Sequence, residues 1–419
     1  MDKAASDPMG ARPVDEDQGL AARPLPQADP SGLPWGARRL LAMGSRLQTG
    51  SLAIALPDGR RLRLTGRGPG PEAAMRIRDW SLARRVLLAG DLGFAESYGR
   101  GEWDSPDLPA LLRLLGMNRP VRSPWRHPLL WGALLRYRLN RNSRRGARRN
   151  IHAHYDLGNA FYASWLDESL TYSSALWSAE AKDIEAAQAA KYRRLAEAAD
   201  LRPGQSVLEI GCGWGGFALF AAREIGCRVT GLTISQRQCE EARRRVAEAG
   251  LADKVAIALR DYRDERGRYD RIVSIEMVEA VGEAYWPTFF AQLRDCLVDG
   301  GRVGLQAITM DEAEFPRYRR HVDFIRHAIF PGGLLPTATI LRDEARRHGL
   351  SVVDEHAFGM DYARTLALWR ERFRAAGPVL AAQGFDERFR RLWEYYLGYC
   401  EAGFRLGRTD VRQMVFRKN

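Results

Sequence analysis

The sequence predicts an α/β chain, with a doubly wound parallel sheet over residues 151–419 and a smaller N-terminal α+β accessory domain over 35–118. Three observations predict it. From Ile151 onward short apolar runs alternate with helical stretches, the mark of a parallel sheet with crossover helices. One of these runs, V-L-E-I at 207–210, leads straight into G-C-G-W-G-G (Gly211 to Gly216) and then a helical F-A-L-F-A-A-R-E. Far upstream, S-L-A-I-A-L-P-D-G-R-R-L-R-L-T-G at 51–66 alternates as a β-hairpin does, with Pro57-Asp58-Gly59 as its turn.

Residues 1–34 are rich in Pro, Ala and Asp without hydrophobic period and are expected to be a disordered tail. After the hairpin, D-W-S-L-A-R-R-V-L-L-A-G-D and D-L-P-A-L-L-R-L-L complete a mixed α/β segment that carries no catalytic motif. Residues 119–150 then hold ten arginines and no acid, with Trp125, Leu129, Leu130, Trp131, Leu134 and Leu135 interleaved. Arginines beside tryptophans and leucines describe an interfacial helix in a headgroup layer. A solvated basic linker, or a helix packed on its own domain, fits the same composition. Nucleic acid would match the charge, but nothing else in the chain supports it.

In the C-terminal region the strands continue as C-R-V-T-G-L-T-I-S, V-A-I-A-L-R-D-Y, Y-D-R-I-V-S-I-E-M-V-E-A-V-G and G-G-R-V-G-L-Q-A-I-T-M. Each presents polar residues at its carboxyl end, where open α/β sheets bind ligands. The 419 residues carry a formal charge of +12, which favours an anionic surface. The five cysteines include no C-x-x-C pair, which suits a reducing compartment and argues against a metal site. There is no signal-peptide pattern, and no uncharged apolar run near the ~20 residues that span a bilayer. A cytoplasmic protein, peripheral to the inner face of the membrane, is expected.

The glycine turn decides the cofactor. A strand, a glycine turn and a helix start form the nucleotide cradle of Rossmann-like folds, and Gly211, Gly213 and Gly216 also satisfy the dinucleotide pattern G-x-G-x-x-G. A dinucleotide site wants an acid at the end of the second strand, about 20 residues on. Here that strand, Cys227 to Ser235, ends without one. Glu209 instead precedes the glycines in the E/D-x-G-x-G-x-G order of S-adenosyl-L-methionine (SAM) methyltransferases, where an acid can hold the methionine end of a cationic cofactor. SAM is preferred over NAD, and over a turn that binds nothing.

Just upstream, H-Y-D-L-G-N-A-F-Y-A-S-W-L-D-E-S-L-T-Y-S-S-A-L-W (His154 to Trp177) is an aromatic-rich helical segment ending in hydroxyls, suited to a lid. With G-C-G-W-G-G and T-I-S-Q-R-Q it resembles the cyclopropane-fatty-acyl-phospholipid synthases and the related mycolic acid methyltransferases. The likeness runs on through D-Y-R-D, S-I-E-M-V-E-A-V-G, F-I-R-H-A-I-F-P-G-G-L-L-P, F-G-M-D-Y-A-R-T-L, Y-Y-L-G-Y-C-E-A-G-F-R and Q-M-V-F, in unbroken order over 151–419. The accessory domain looks like the family's lipid-facing domain, less distinctively.

The resemblance implies methyl or methylene transfer from SAM to the double bond of an unsaturated phospholipid acyl chain. It places SAM against Tyr172, Ser173, Glu209, Gly211, Gly213, Gly215, Thr233, Ile234, Ser235 and Gln238, with Tyr262 and Arg263 at the adenine. Alone, S-Q-R-Q would be an ordinary strand end and helix cap. The implied base is a bicarbonate held at positions matching Ser174, Glu279, Gln306, the backbone of Ile308, and Tyr362. Serine stands where the family has cysteine, glutamine where it has histidine, and Ala280 where many members have histidine. Ser174 and Gln306 can still donate hydrogen bonds to an anion. Cys400 matches a cysteine often marked as active, though a packing cysteine is equally compatible. Trp369, Trp393, Tyr395, Tyr396 and Tyr399 are expected in the core or in acyl-pocket walls.

Expected partners are phospholipid acyl chains at an anionic membrane surface, with no nucleic acid; a homodimer is left open. Loss of a different proton, or a hydride shift, would give a methyl- or methylene-branched chain in place of a cyclopropane. A methyltransferase for a small molecule or nucleic acid, and a membrane-binding relative with a degraded site, are the readings from other classes.

Overall fold

The computed structural model describes residues 32–118 and 157–419. Residues 1–31 of the expected 1–34 tail, the basic segment 119–150 and His154 therefore lie outside the described residues, while Leu33, inside that expected tail, is packed in the core.

The accessory unit is built on a four-stranded sheet in the order β2-β1-β3-β4. Strands β1 (Thr49–Ala55) and β2 (Arg61–Thr65) form the expected hairpin, with Ala55 opposite Arg61. Strand β3 (Gly68–Ile77) was not legible in the sequence, because its G-P-G-P start has no alternation. It runs parallel to β1 on the side away from β2, with β4 (Trp103–Asp104) against its end. The β2–β3 crossover presses backbone on backbone: a Cβ at Gly66 would stand 2.6 Å from the amide nitrogen of Thr49. Only glycine tolerates that approach.

Helices Ser81–Gly99 and Leu108–Met117 cover the sheet, the second capped by the Asp107 carboxylate on the amide of Ala110. They pack against the long C-terminal helix Glu387–Arg405. There Arg391 donates to the carbonyls of Tyr98 and Trp103, at 2.7 and 2.9 Å, and to Asp104 at 2.6 Å. Trp103, fully buried, stacks on Phe94 with 4.3 Å between ring centroids. One apolar core thus runs from Leu52 and Ile77 to Trp369 and Tyr395.

The second sheet has seven strands in the order β10-β11-β9-β8-β5-β6-β7. Strands β5 (Ser206–Ile210), β6 (Arg228–Thr233), β7 (Val255–Leu259), β8 (Tyr269–Ile275) and β9 (Leu297–Met310) are parallel. β11 (Thr409–Lys418) is antiparallel to both β9 and β10 (Leu350–Ala357), so the expected parallel sheet is a mixed one at its C-terminal edge. The winding reverses between β5 and β8. The crevice outside the carboxyl ends of those two strands is the topological switch point, where doubly wound sheets bind ligands.

The aromatic segment after residue 157 is not a lid. Only Asn159–Ala163 is helical, and Phe161, Tyr162 and Trp165 are buried. They pack against Phe373, Trp393, Trp214 and Trp369, wedged between the glycine turn and the C-terminal helices. Their large apolar area drives them inward.

Candidate active site

A cavity of about 2560 Å³ opens at the switch point and extends into the accessory unit. That exceeds the ~300–1,000 Å³ of a small-ligand site, so there is room for a cofactor and a long second ligand. One end is polar and lined by Glu209, Gly211, Gly213, Thr233 and Ile234 at strand ends, by Gln238, Tyr262 and Arg263 in the helical turns that follow, and by Tyr172 and Ser173 from upstream. The other is apolar and lined by the accessory sheet and helices, among them Leu47, Leu52, Ile54, Leu64, Met75 and Leu112.

At the polar end the backbone bends as the glycines predict. Gly211, Gly213 and Gly215 have φ of 82°, 52° and 84°. A Cβ at Gly213 would meet nothing within 4 Å, so that position faces open cavity. Gly215 starts the helix Gly216–Phe220 from behind the cavity wall. Glu209 is buried; the amide of Ala218 donates to its carboxyl, while its Oε2 has no hydrogen-bond partner among the described residues. Burial pushes Glu209 up to about 8, with Lys191 opposing. An orphaned buried carboxylate oxygen beside an open glycine turn fits a ligand bearing an ammonium, as SAM does.

Ser235 does not line the cavity. Its hydroxyl accepts from the amide of Gln238 at 3.4 Å and caps the helix Gln236–Glu248, so the plain helix-cap reading describes it. Thr233 donates to Gln238 Oε1 at 2.9 Å, which orients that amide at the cavity wall. Arg263 is tied to Asp261 at 2.6 Å and lies over the rings of Tyr262 and Tyr285, at 5.5 and 5.7 Å.

The implied bicarbonate site is where structure and expectation part. Three of its donors converge on a residue that the motif comparison passed over, Glu276. The amide of Ser174 donates to Glu276 Oε1 at 2.8 Å, as does Gln306 Nε2, while the Tyr362 hydroxyl donates to Oε2 at 2.7 Å. The Ser174 hydroxyl turns away to the carbonyl of Ala175, so serine for cysteine changes no donor to the anion. The fourth donor, the amide of Ile308, bonds Glu279 Oε1. A bicarbonate therefore does not fit: its donors already serve two side-chain carboxyls.

Gln306 is held from behind, its Oε1 accepting from Gln413 Nε2 at 3.0 Å. Burial raises the pKa of Glu276, against the pull of its three donors and of Lys191. Lys191, buried and donating to Ser173 Oγ at 2.7 Å, is lowered to about 7 by burial. Glu279 is pushed up to about 8 by burial and by the like charge of Glu276.

Cys400 lies on the cavity wall, but burial holds its thiol far above the ordinary range. A raised thiol disfavours the thiolate that nucleophilic attack needs, and half-buried Cys400 is placed as part of the wall. Tyr395, Tyr396 and Tyr399 share that wall; Trp369 and Trp393 are core. The Tyr172 and Tyr396 hydroxyls meet at 2.8 Å, and Tyr362 packs on Phe404 at 4.6 Å, so aromatic faces surround the carboxyls. The signal for Glu276 was available: E-M-V-E puts two acids three residues apart where an apolar strand ends at the switch point.

Comparison with known proteins agrees with this geometry. Residues 142–414 match the family model described as mycolic acid cyclopropane synthetase. The chain is 43% identical over 345 residues to tuberculostearic acid methyltransferase UfaA1 of Mycobacterium tuberculosis, covering 80% of each. It is 36% identical over 351 residues to the cyclopropane-fatty-acyl-phospholipid synthase of Escherichia coli, covering 83% of this chain and 88% of that one. Among solved structures, mycolic acid cyclopropane synthase CmaA1 complexed with SAH and CTAB aligns at a TM-score of 0.61 and 30% identity, over 65% of this chain and 98% of that one. With the glycine turn, the orphaned acid and the mixed sheet already in place, the match over most of its length makes this chain a member of the mycolic acid cyclopropane synthetase family, a SAM-dependent methyltransferase.

Proposed function

We propose that the enzyme alkylates the double bond of an unsaturated phospholipid acyl chain at an anionic membrane surface. One observation carries this reading: the polar cofactor end and the apolar accessory chamber are a single cavity, with Glu276, Tyr362 and Cys400 between them. The names of the two relatives above, a cyclopropane-fatty-acyl-phospholipid synthase and a tuberculostearic acid methyltransferase, support an acyl-chain substrate.

When bound, SAM supplies an electrophilic methyl group. The residues of this chain do the rest. Glu209, Gly213 and Gln238 hold the cofactor end, and Tyr262 and Arg263 flank the adenine. The leucines and methionine of the accessory sheet take the acyl chain and exclude water, which an alkene needs if so poor a nucleophile is to be aligned. Aromatic faces at Tyr172, Tyr362, Tyr396 and Phe404 shelter the carbocation left on the chain.

The rim supports the membrane location. Trp35, Met43, Leu88 and Met117 are exposed, Arg39 stacks on Trp35, and Arg46, Arg317, Arg320 and Arg408 line the same cavity. No helix of the described residues is long and apolar enough to cross a membrane; the exposed apolar and basic rim serves a peripheral position on a membrane face.

A ring-closed, cyclopropane product is the first outcome. An unsaturated methylene- or methyl-branched chain is the second, in keeping with the 43% relative, which is named a methyltransferase. Gas chromatography with mass spectrometry of fatty acid methyl esters from cells making the protein separates them. A one-carbon gain that resists mild hydrogenation is a ring; a one-carbon gain with a retained double bond is the second outcome. No one-carbon gain in any acyl chain would overturn the proposal.

A further inference from the structure

We infer that Glu276 is the catalytic base of this enzyme, a built-in carboxylate occupying the pocket that the family resemblance assigns to a bicarbonate. The inference deepens the acyl-alkylation reading and rests on it for the identity of the substrate.

Three observations meet at this residue. First, the set of donors is that of an anion pocket. A backbone amide, a side-chain amide and a phenol converge on one carboxylate at 2.7–2.8 Å, and the group still reaches the cavity between cofactor end and acyl chamber. Second, the backbone is bent to deliver it. Glu276 has φ of 49°, a left-handed conformation shared among the described non-glycine residues with Leu170 and Asp200. A side chain there is strained, and such outliers gather at functional sites where the surroundings over-determine them. Here the strain turns the side chain back from the end of β8 into the pocket. Third, the second carboxyl is differently placed. Glu279 accepts from the amide of Ile308 and keeps its other oxygen without a partner among the described residues, so it takes no part in the convergence on Glu276.

The proton balance closes without a co-reactant. The alkene π pair forms the new C–C bond to the transferred methyl, and the S–C pair stays on sulfur. The neighbouring carbon becomes a cation. Glu276 then takes a proton from the new methyl group, and the C–H pair closes the ring. If a 1,2-hydride shift comes first, the same pair forms an exocyclic double bond. One base at one place serves both outcomes. Burial raises Glu276 toward neutrality, while the three donors and Lys191 keep the ionised form accessible, the poise a general base needs.

The test uses the full-length protein with monounsaturated phosphatidylglycerol vesicles and SAM, in buffer freed of carbon dioxide, with and without added bicarbonate. The native rate should be the same in both. Glu276→Gln should lose about 10²–10⁴-fold in turnover with SAM affinity unchanged by calorimetry. Glu276→Gly should fold at least as well, because glycine accepts φ of 49° without strain. It should be equally slow, and added bicarbonate should restore part of its rate by filling the vacated donors.

A second measurement needs no lipid. Titration with ¹³C-bicarbonate, followed by NMR, should show saturable binding to Glu276→Gly and none to the native protein. A native rate that falls without carbon dioxide and returns with bicarbonate would overturn the inference. So would native turnover by Glu276→Gln, saturable bicarbonate binding by the native protein, or no binding by Glu276→Gly. If the NMR results hold while no vesicle lipid is alkylated, the substrate reading fails and the carboxylate's place in the anion pocket stands.

Discussion

The two ends of the cavity are built on opposite plans. At the cofactor end a few groups, Glu209, Glu276 and Glu279 at or just beyond strand ends and Lys191 on the helix Ile184–Ala198, are shifted by burial. At the accessory end many apolar side chains share the lining and none is singular. Chemistry at a defined atom needs charge placed within hydrogen-bond distance, and low dielectric makes each such group consequential. Holding an alkyl chain needs only area removed from water, which any fitting set of apolar residues supplies. Single substitutions should therefore be severe and specific at one end, and graded at the other.

The sharpest break is Gly213→Val. Its side chain would enter the open space at φ of 52°, and SAM binding should fall below detection by calorimetry while the thermal unfolding transition survives. NAD binding by the native protein, or unchanged SAM binding by the variant, would show that the polar end is not the cofactor site. The basic segment 119–150 should give the next largest effect. Replacing five of its ten arginines by glutamine should weaken binding to anionic vesicles, measured by sedimentation, by about 10³-fold or more, at ~1 kcal/mol per arginine, with SAM affinity intact. Native binding should also weaken with salt.

Leu112→Trp tests the apolar end. Narrowing the chamber should raise KM for lipids with the longest chains by about tenfold, on the scale of a methylene or two, and leave SAM affinity alone. A fall in kcat with no change in KM would mean that the chamber does not hold the chain. Glu279→Gln should be mildest. With its pKa raised to about 8, Glu279 is protonated at pH 7, and glutamine mimics that form. Turnover at pH 7 should fall only about two- to fivefold, the scale of one altered neutral hydrogen bond. Above pH 8 the native Glu279 ionises, raised that far by burial and by the charge of a Glu276 that is already ionised. The second negative charge makes Glu276 a stronger base, so the native rate should rise through pH 8 and the variant's should not.

Much of this was legible in the residues. Gly211, Gly213 and Glu209 announced a cofactor cradle, because a tight turn against a ligand leaves few alternatives to glycine. The hairpin at 51–66 was announced by its alternation and turn. Ser174 and Gln306 marked the pocket as altered, but not how. The compensation sits at Glu276, just past the end of β8 and 102 residues from Ser174. β3 was hidden because its partner is a parallel strand from across a crossover, and the lid assignment failed because aromatic segments and lids share a composition.

Local pattern determined the strands and helices, the glycine turn, the charge and the chain's kinship, since each depends on residues close together in sequence. Only the tertiary structure decided which carboxylate the anion pocket would hold. A buried acid's role is set by the donors that reach it and by the water taken from it, and those donors come from residue 174, strand β9 and the helix Gly359–Ala375. Spacing along the chain does not encode such a meeting; the folding of the strands around the switch point does.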